Sequence, residues 1–235
     1  MSLLTIVQAV ADESGLPRPG AVVSSSDQQV RQLFALVNRS GQQLARRYDW
    51  APLRKEGNFT TLAAELQGTL VACASASFLY FVNDTMWNRT LNRSIPGPLT
   101  AEEYQTLKAN NASGPYPQFF TRESRLYFIP APAAGESVYF EYISKYWCTD
   151  STGATGKEKM NADTDISLVP ENLVELDVLW RWRKKKGFDY SEEFREFETA
   201  LANHFGRDGA RTKLSMNGPI QNRGAIRVPE GSWTP

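Results

Sequence analysis

The spacing of apolar residues changes twice along this chain of 235 residues. Near both ends the apolar residues follow a helical period, whereas "ESVYFEYISKYW" alternates and places Val138, Phe140 and Tyr142 on one face. A helix buries a stripe that repeats every 3.6 residues, and a strand buries every second residue, so a segment cannot satisfy both patterns. The sequence therefore predicts helices at both ends of the chain and a β-rich segment between them.

Helix starts are indicated by residues that can cap a first turn. Ser, Thr and Asp side chains accept hydrogen bonds from first-turn N–H groups, and a Glu or Gln three residues later can return one. Such starts are present at Ser2, at Ser26 with Gln29, at Thr100 with Glu103, and at Asp189 with Glu192. Gly187 separates the last two helices, which we expect at about 170–186 and 190–206.

The middle of the chain predicts strands with one helix among them. Short strands are expected at roughly 56–62 and 77–82, and stronger ones over "RLYFI" and "ESVYFEYISKYW". The loop "PAPAAG" would join the last two as a hairpin. The second face of the last strand carries Tyr139, Glu141, Ile143 and Lys145, which is typical of partial exposure or of a partner surface. Residues 149–162 have the composition of an exposed loop.

These patterns predict an α+β fold in three parts. We expect a helical bundle domain at 1–52 and 163–212, a β-rich insertion with one helix at 53–162, and an extended tail at 213–235. The tail cannot build a core alone, so we expect it to be disordered or laid on another surface. Its apolar and proline residues are Pro219, Ile220, Ile226, Val228 and Trp233.

The stretch "VLWRWRKKKGFDY" interleaves aromatic and basic residues, as nucleic-acid surfaces do. The whole chain has 26 basic and 26 acidic residues, so any DNA affinity would have to come from a local patch. Trp180 and Trp182 are expected to pack at helical spacing. Lys184 to Lys186 fall in a final helical turn, where the helix dipole stabilises each exposed cation by about 0.3–1 kcal/mol. Helix-end chemistry thus explains the run without nucleic acid.

Residues that could bind a metal or a cofactor are few. The two cysteines, Cys73 and Cys148, and the one histidine, His204, cannot complete a tetrahedral zinc site without carboxylates. "DTD" at 163–165 lacks the central glycine of a calcium loop, because Leu168 occupies that position. We find no phosphate loop or dinucleotide-binding glycine pattern, and we expect no metal, cofactor or catalytic site.

Acidic pairs suited to glycoside cleavage occur only where helices begin. Glu102, Glu103, Glu192 and Glu193 lie in first turns, where acids are favoured by capping and by the helix dipole. His204 is expected to be half buried. The N-terminal segment lacks the features of a signal peptide, and no apolar run approaches a membrane span. We therefore expect a non-enzymatic protein made in a cytoplasm.

Several segments, in their order along residues 3–210, resemble the head-to-tail adaptor (connector) proteins of tailed bacteriophages, of the tail tubular protein A type. They are "LLTIVQAVADESGLPRP", "DQQVRQLFALVNRSGQQLARRYDW", "TMWNRTLNRSIPGPLTAEEYQTLKA", "RLYFIPAPAAGESVYFEYISKYWC" and "DTDISLVPENLVELDVLWRWRKKKGFDYSEEFREFE". The resemblance implies a helical bundle with a β-rich insertion. It also implies a virion protein at the head–tail junction, assembled in the host cytoplasm.

The family's function is to form a ring, typically a dodecamer, beneath the portal protein. Such a ring extends the DNA channel and docks the tail nozzle or tail tube, and genomic DNA passes through it without specific binding. The resemblance therefore implies roles in viral assembly and DNA ejection, with no membrane partner. Some adaptors of short-tailed phages have been proposed to hydrolyse cell walls, so a peptidoglycan-hydrolysing adaptor and a DNA-binding module stay open as alternatives.

Lysines repeated around a ring and facing its channel would hold DNA strongly, because phosphate contacts accumulate. We therefore expect the basic run at a subunit interface or on the outer rim, opposite acidic residues such as Glu192, Glu193, Glu196, Glu198 and Glu141. Pairing within the subunit is the alternative. The expected subunit or portal interface residues are Arg181, Arg183, Lys184, Lys185, Lys186, Pro219, Ile220, Ile226, Val228 and Trp233.

Overall fold

A computed structural model describes residues 2–110 and 116–208 as a mixture of helices and antiparallel sheets. The mixed α and β character predicted from the sequence is thus confirmed. The helices in the described residues are α1 (Leu3–Glu13), α2 (Gln28–Arg47), α3 (Leu70–Cys73), α4 (Ala101–Asn110), α5 (Glu171–Lys186) and α6 (Ser191–Asp208). The predicted tail at 213–235, with its five expected interface residues, lies outside the described residues.

The strands of the described residues form three sheets. They are β1 (Arg54–Thr60), β2 (Leu66–Thr69), β3 (Phe78–Phe81), β4 (Trp87–Asn88), β5 (Arg93–Ser94), β6 (Gln118–Arg122), β7 (Arg125–Ile129), β8 (Ser137–Ser144), β9 (Cys148–Thr149), β10 (Gly156–Lys157) and β11 (Ile166–Ser167). One sheet has the order β1-β8-β4-β5, with β3 also paired to β8. The other two have the orders β2-β7-β6 and β10-β9-β11.

The described chain divides into two compact units. The helical unit comprises the chain up to Arg54 and from Ser144 onward, and the β unit comprises Lys55–Ile143. Residues 144–162, which the sequence analysis grouped with the β-rich insertion, make their contacts with the helices. There Asn38 of α2 accepts a hydrogen bond from the N–H of Met160 at 2.8 Å, and the Trp147 ring lies against Gly41 of α2.

In the helical unit, α5 packs against α1, α2 and α6. Helix α1 begins at Ser2 as predicted, with Thr5 completing a capping box. The predicted start of α2 at Ser26 is wrong, because Asp27 is the N-cap and its carboxylate accepts the N–H of Gln29 at 2.8 Å. A carboxylate at a helix N-terminus also interacts favourably with the dipole, so Asp27 serves better than Ser26.

In the β unit, the predicted hairpin between "RLYFI" and "ESVYFEYISKYW" is wrong. Strand β7 pairs with β6 and β2, whereas β8 belongs to the other sheet. The tight turn between β6 and β7 contains Glu123 and Ser124, both with positive φ, the geometry that joins adjacent antiparallel strands. Strand β6 was not predicted from the sequence, so β7 was expected to pair with the next strand along the chain.

Strand β8 positions the core of the β unit. Val138, Phe140 and Tyr142 are buried on the predicted face, where they join Phe128 and Leu126 in one apolar cluster. On the opposite face Tyr139 and Glu141 are partly exposed, as expected, but Ile143 is fully buried. The alternation therefore predicts one face of β8 well and the end of its other face poorly.

The loop predicted at 149–162 is more ordered than its composition indicates. Residues 151–155 are exposed, but β9 and β10 pair across this segment, and Thr149 and Met160 are buried. Asp163, in the segment that resembles a calcium loop, accepts the N–H groups of Val22 and Val23 at 2.8–3.2 Å. Its carboxylate thus fixes the chain between α1 and α2.

Asp165 is the buried centre of the same segment. It is 1% exposed and accepts hydrogen bonds from Lys157 Nζ at 2.7 Å and from the N–H groups of Asn161 and Ala162 at 2.7 and 3.0 Å. Burial alone would raise the pKa of Asp165, but these hydrogen bonds hold the pKa below its ordinary value. The carboxylate therefore stays ionised in the folded protein at neutral pH.

Replacing Asp165 with asparagine should lower the free energy of unfolding at neutral pH by about 1–3 kcal/mol, because Lys157 loses its charged partner and an amide cannot accept all three bonds. A lowered pKa stabilises the fold above the unfolded value near 3.9, and this contribution disappears as the pH falls through the folded pKa. Urea unfolding at pH 7 and at pH 3 measures the difference. Equal losses at both pH values would contradict the assignment.

Candidate interface at the C-terminal end of α5

The run of basic residues ends α5, and a glycine fixes that end. Gly187 has φ of 80°, a left-handed conformation that residues with side chains rarely adopt. Its N–H and that of Phe188 donate to the carbonyl of Arg183, at the end of a helix whose last turn is entirely basic. The helix-end chemistry expected from the sequence is thus present.

The structure separates the five basic residues into two groups. Arg181 Nε lies 2.7 Å from a carboxylate oxygen of Asp177, which is buried and also accepts Trp180 Nε1 at 2.9 Å. Arg183 lies 2.5 Å from Glu193 of α6. These two arginines are therefore paired within the chain, the alternative that the sequence left open for the whole run.

The three lysines form the exposed part of the run. Lys184, Lys185 and Lys186 are exposed, and we name them the lysine triplet. The Lys184 ammonium lies 5.7 Å from the ring centre of Trp180 and 5.3 Å from that of Tyr190, and Lys186 lies 5.6 Å from that of Trp182. Contacts of this kind stabilise exposed cations by about 0.5–1 kcal/mol and orient them without neutralising them.

The two tryptophans of the run have different environments. Trp182 is 6% exposed, which confirms that it packs. Trp180 is partly exposed and lies beside α6, with ring-centre distances of 5.2 Å to Phe194 and 6.1 Å to Tyr190. These three rings border a cleft of about 490 Å³ together with Lys184, Asp189 and Ser191, and we name it the aromatic cleft.

The start of α6 supplies the acid on the rim of this cleft. Asp189 accepts the hydroxyl and the N–H of Ser191, the first residue of α6, so it lies one residue before the N-cap position, and the predicted capping pair of Asp189 with Glu192 is wrong. These hydrogen bonds, the hydroxyl's first, hold the pKa of Asp189 below its ordinary value, so the carboxylate is charged at neutral pH. Glu192, its expected capping partner, instead lies 2.8 Å from Arg195.

The acidic residues of α6 border a second groove, of about 600 Å³, on the surface of this helix. Its lining residues are Glu192, Glu193, Arg195, Glu196, Thr199, Ala200 and Asn203. Glu196 is exposed, whereas Glu198 pairs with Arg47 of α2 at 2.7 Å. The acidic surface predicted from the sequence is therefore real but partly neutralised within the chain.

Three of the four carboxylates considered for catalysis, those of Glu103, Glu192 and Glu193, have structural contacts. Glu103 accepts the N–H and the hydroxyl of Thr100, which confirms the predicted capping box, and these hydrogen bonds lower the pKa of Glu103. A general acid for glycoside cleavage needs a raised pKa. Glu192 and Glu193 pair with arginines, as described above. These contacts give the acids capping and pairing roles.

His204 and Cys73 are placed among apolar groups, whereas the Cys148 thiol donates to the carbonyl of Lys157. His204 is half buried, as predicted, with its ring centre 6.4 Å from that of Trp50. Burial raises the pKa of the Cys73 thiol to about 11 and that of the Cys148 thiol to about 12, so both stay protonated. Among residues 2–110 and 116–208, no group of three or more His, Cys, Asp or Glu side chains is placed to hold a metal ion.

Comparison with protein families identifies the chain. The family model for the SU10 adaptor protein matches residues 1–223. This chain belongs to the SU10 adaptor protein family. No curated protein matches it. The family is one of phage head-to-tail adaptors, so the resemblance found in the sequence is confirmed.

Family membership assigns a structural adaptor role in a bacteriophage virion, at the head–tail junction. It also implies contacts with portal and tail proteins and with further copies of the chain. In the part of the chain that the structure describes, no helix is long and apolar enough to cross a membrane.

The contacts that the sequence did not predict join residues far apart in the chain. Arg47 pairs with Glu198, and Tyr48 stacks on Phe205 with ring centres 4.5 Å apart. Phe194 and Phe197 lie three residues apart on α6, but Phe197 is 1% exposed whereas Phe194 is 39% exposed at the cleft. The helical period does predict its side of α6, although it cannot distinguish the centre of a buried stripe from its edge.

Proposed function

We propose that copies of this chain form a closed ring, as a dodecamer, beneath the portal protein. The ring would extend the DNA channel and dock the tail nozzle or tail tube. Membership of the adaptor family over residues 1–223 carries this proposal. In it, α1, α2, α5 and α6 form the helical bundle that the resemblance implies, and the β unit is the insertion.

The lysine triplet is the part of the basic run that we propose for the interface between subunits. Arg181 and Arg183 are paired within the chain, so in this proposal they orient the end of α5. On α6, Glu196 and Glu192 would face the triplet of the neighbouring subunit. The pair of Glu192 with Arg195 is exposed at both ends, so it holds this carboxylate only weakly. A head-to-tail contact of unlike surfaces closes into a ring when its rotation fits a whole number of copies.

The proposed role towards DNA is passage without specific binding. The chain has no net charge, whereas proteins that hold DNA through its phosphates usually have a basic excess. If the triplet of every subunit lined the channel, its many phosphate contacts would bind DNA tightly and slow its passage. We therefore place the triplet away from the channel wall, and DNA ejection through the ring follows from this placement.

Purified protein is expected to form rings when the portal protein is present. Size-exclusion chromatography with and without portal should show the chain moving to the portal fraction, and electron micrographs of that fraction should show a ring of fixed diameter. The physical reason is that a symmetric portal presents many identical sites to a chain with unlike surfaces. A chain that elutes unchanged and shows no ring would contradict the proposal.

We also expect no cleavage of peptidoglycan by the pure protein, because Glu103 caps α4 and Glu192 and Glu193 pair with arginines. Zymography on peptidoglycan should show no clearing zone. A clearing zone that disappears when Glu102, Glu103, Glu192 or Glu193 is changed to glutamine would establish the hydrolase alternative instead.

A further inference from the structure

The aromatic cleft has the composition of a site for a proline-containing segment. Trp180, Tyr190 and Phe194 supply ring surfaces, and Phe194 is 39% exposed. Aromatic-lined grooves bind prolines because a proline ring lies flat against an aromatic ring and loses little conformational entropy on binding. Lys184 and Asp189 border the cleft with opposite charges, so an occupant with both an anion and a cation would fit best.

The chain itself contains a segment with these features. The sequence "IRVPEGSWTP", residues 226–235, places Arg227 two residues before Pro229 and Glu230 directly after it. Arg227 complements Asp189, Pro229 suits the aromatic rings, and Glu230 complements Lys184. Residues 209–235 contain four basic residues and one acidic residue, so this part of the chain is also complementary to the acidic groove of α6.

The length of the intervening chain allows this segment to reach another copy. Residues 209–225 follow α6 and, if extended, span at most about 60 Å. Helix α6 has 18 residues and is about 27 Å long. A segment that fills the cleft of the next copy gives every subunit one donor and one acceptor surface, as a head-to-tail ring requires.

We propose that the aromatic cleft binds residues 226–235 of a neighbouring copy, so that the C-terminal segment links each subunit to the next. This inference rests on the proposed ring and names one of its contacts. The segment supplies apolar contact through Pro229 and Trp233, and the two charge pairs fix its register in the cleft.

Cross-linking between two variants of the intact chain, each with one added cysteine, tests the proposal. Ser191→Cys places a thiol in the cleft of one population, and Ser232→Cys places one in the segment of the other. The natural thiols of Cys73 and Cys148 are buried, so they react slowly. When the two populations are mixed on portal protein and treated with a short bis-maleimide, we expect a covalent dimer on a denaturing gel.

Matched variants identify the contact. Thr152→Cys, in an exposed loop, replaces Ser191→Cys as the control for random encounter. Phe194→Ala in the cleft-thiol population should lower the dimer yield at least fivefold, since it removes about 1 kcal/mol or more of aromatic contact. Phe188→Ala removes another exposed ring, 58% exposed and outside the cleft, and should leave the yield unchanged.

Each outcome decides the proposal. A dimer yield equal to that of the Thr152→Cys control overturns it. A further variant carries both Ser191→Cys and Ser232→Cys in one chain, and cross-links found solely within that chain also overturn the proposal. Electron micrographs of the unmodified protein on portal report the ring independently. Rings without the cross-link would reject this contact and retain the proposed function, whereas missing rings would reject the proposed function itself.

Discussion

Replacing Gly41 with alanine is expected to lower the free energy of unfolding by about 1–3 kcal/mol, although alanine is the better helix former. Gly41 is buried in α2, and a Cβ atom at this position would overlap the six-membered ring of Trp147. Trp147 is fully buried and its Nε1 donates to the carbonyl of Glu158 at 2.8 Å, so the ring cannot move without losing that bond. The clash therefore has to be relieved by separating α2 from the segment after β8.

A second glycine in a helix provides the control. Gly206 of α6 is exposed, and a Cβ atom there would meet nothing within 4 Å. Gly206→Ala should therefore stabilise the protein by up to about 1 kcal/mol through helix propensity alone. Urea unfolding followed by tryptophan fluorescence measures both variants. If both shift stability in the same direction, the contact between Gly41 and Trp147 is not the close one described.

The sequence predicted the helices well because their signals are local. Capping at Ser2 and Thr100 depends on residues three positions apart, and both of these caps are present. The start of α2 was wrong by one residue, since Ser26 and Asp27 are both good capping residues and the sequence pattern ranks them closely. Local chemistry thus predicts that a helix starts in a given stretch. It predicts less well which of two adjacent residues is the N-cap.

Strand pairing was predicted poorly because it depends on residues far apart in the chain. Strand β7 alternates as clearly as β8 does, but alternation does not identify the partner of a strand. The pairing of β7 with β6 depends on a tight turn at Glu123 and Ser124, two residues without a strong preference for positive φ. The same limit applies to the five-stranded sheet, where β8 pairs with strands 50 or more residues earlier in the sequence.

The candidate interface shows the same division between local and distant contacts. The helical period and Gly187 predicted where the lysine triplet lies, and it is exposed at the end of α5. The pairing of Arg183 with Glu193 depends on the way α5 and α6 pack, which no spacing in the sequence states. The aromatic cleft was missed for this reason, since Trp180 and Phe194 belong to different helices.

Reversing the lysine triplet to glutamate is expected to slow or block ring formation on portal while the circular dichroism spectrum stays native. The change alters the charge of each subunit by six and places three acids opposite Glu192 and Glu196 of the proposed neighbour. Like charges across an interface are strongly unfavourable, whereas an exposed opposite pair gains only about 0–1 kcal/mol. In the proposed ring, charge would therefore select the register, and apolar contacts would hold the subunits together.

The effect of the reversed triplet on assembly must be separated from the effect of the changed net charge. It must also be separated from any destabilisation of the C-terminal end of α5. A control variant reverses Arg31, Arg39 and Lys159, which are also exposed, so it changes the net charge equally and should still assemble. Glutamates in the last turn of α5 would cost about 0.3–1 kcal/mol each against the dipole, and thermal unfolding of both variants measures that loss. Sedimentation and electron microscopy on portal then measure assembly. If the reversed triplet assembles as the control does, the run serves to end α5, and the ring closes through other surfaces.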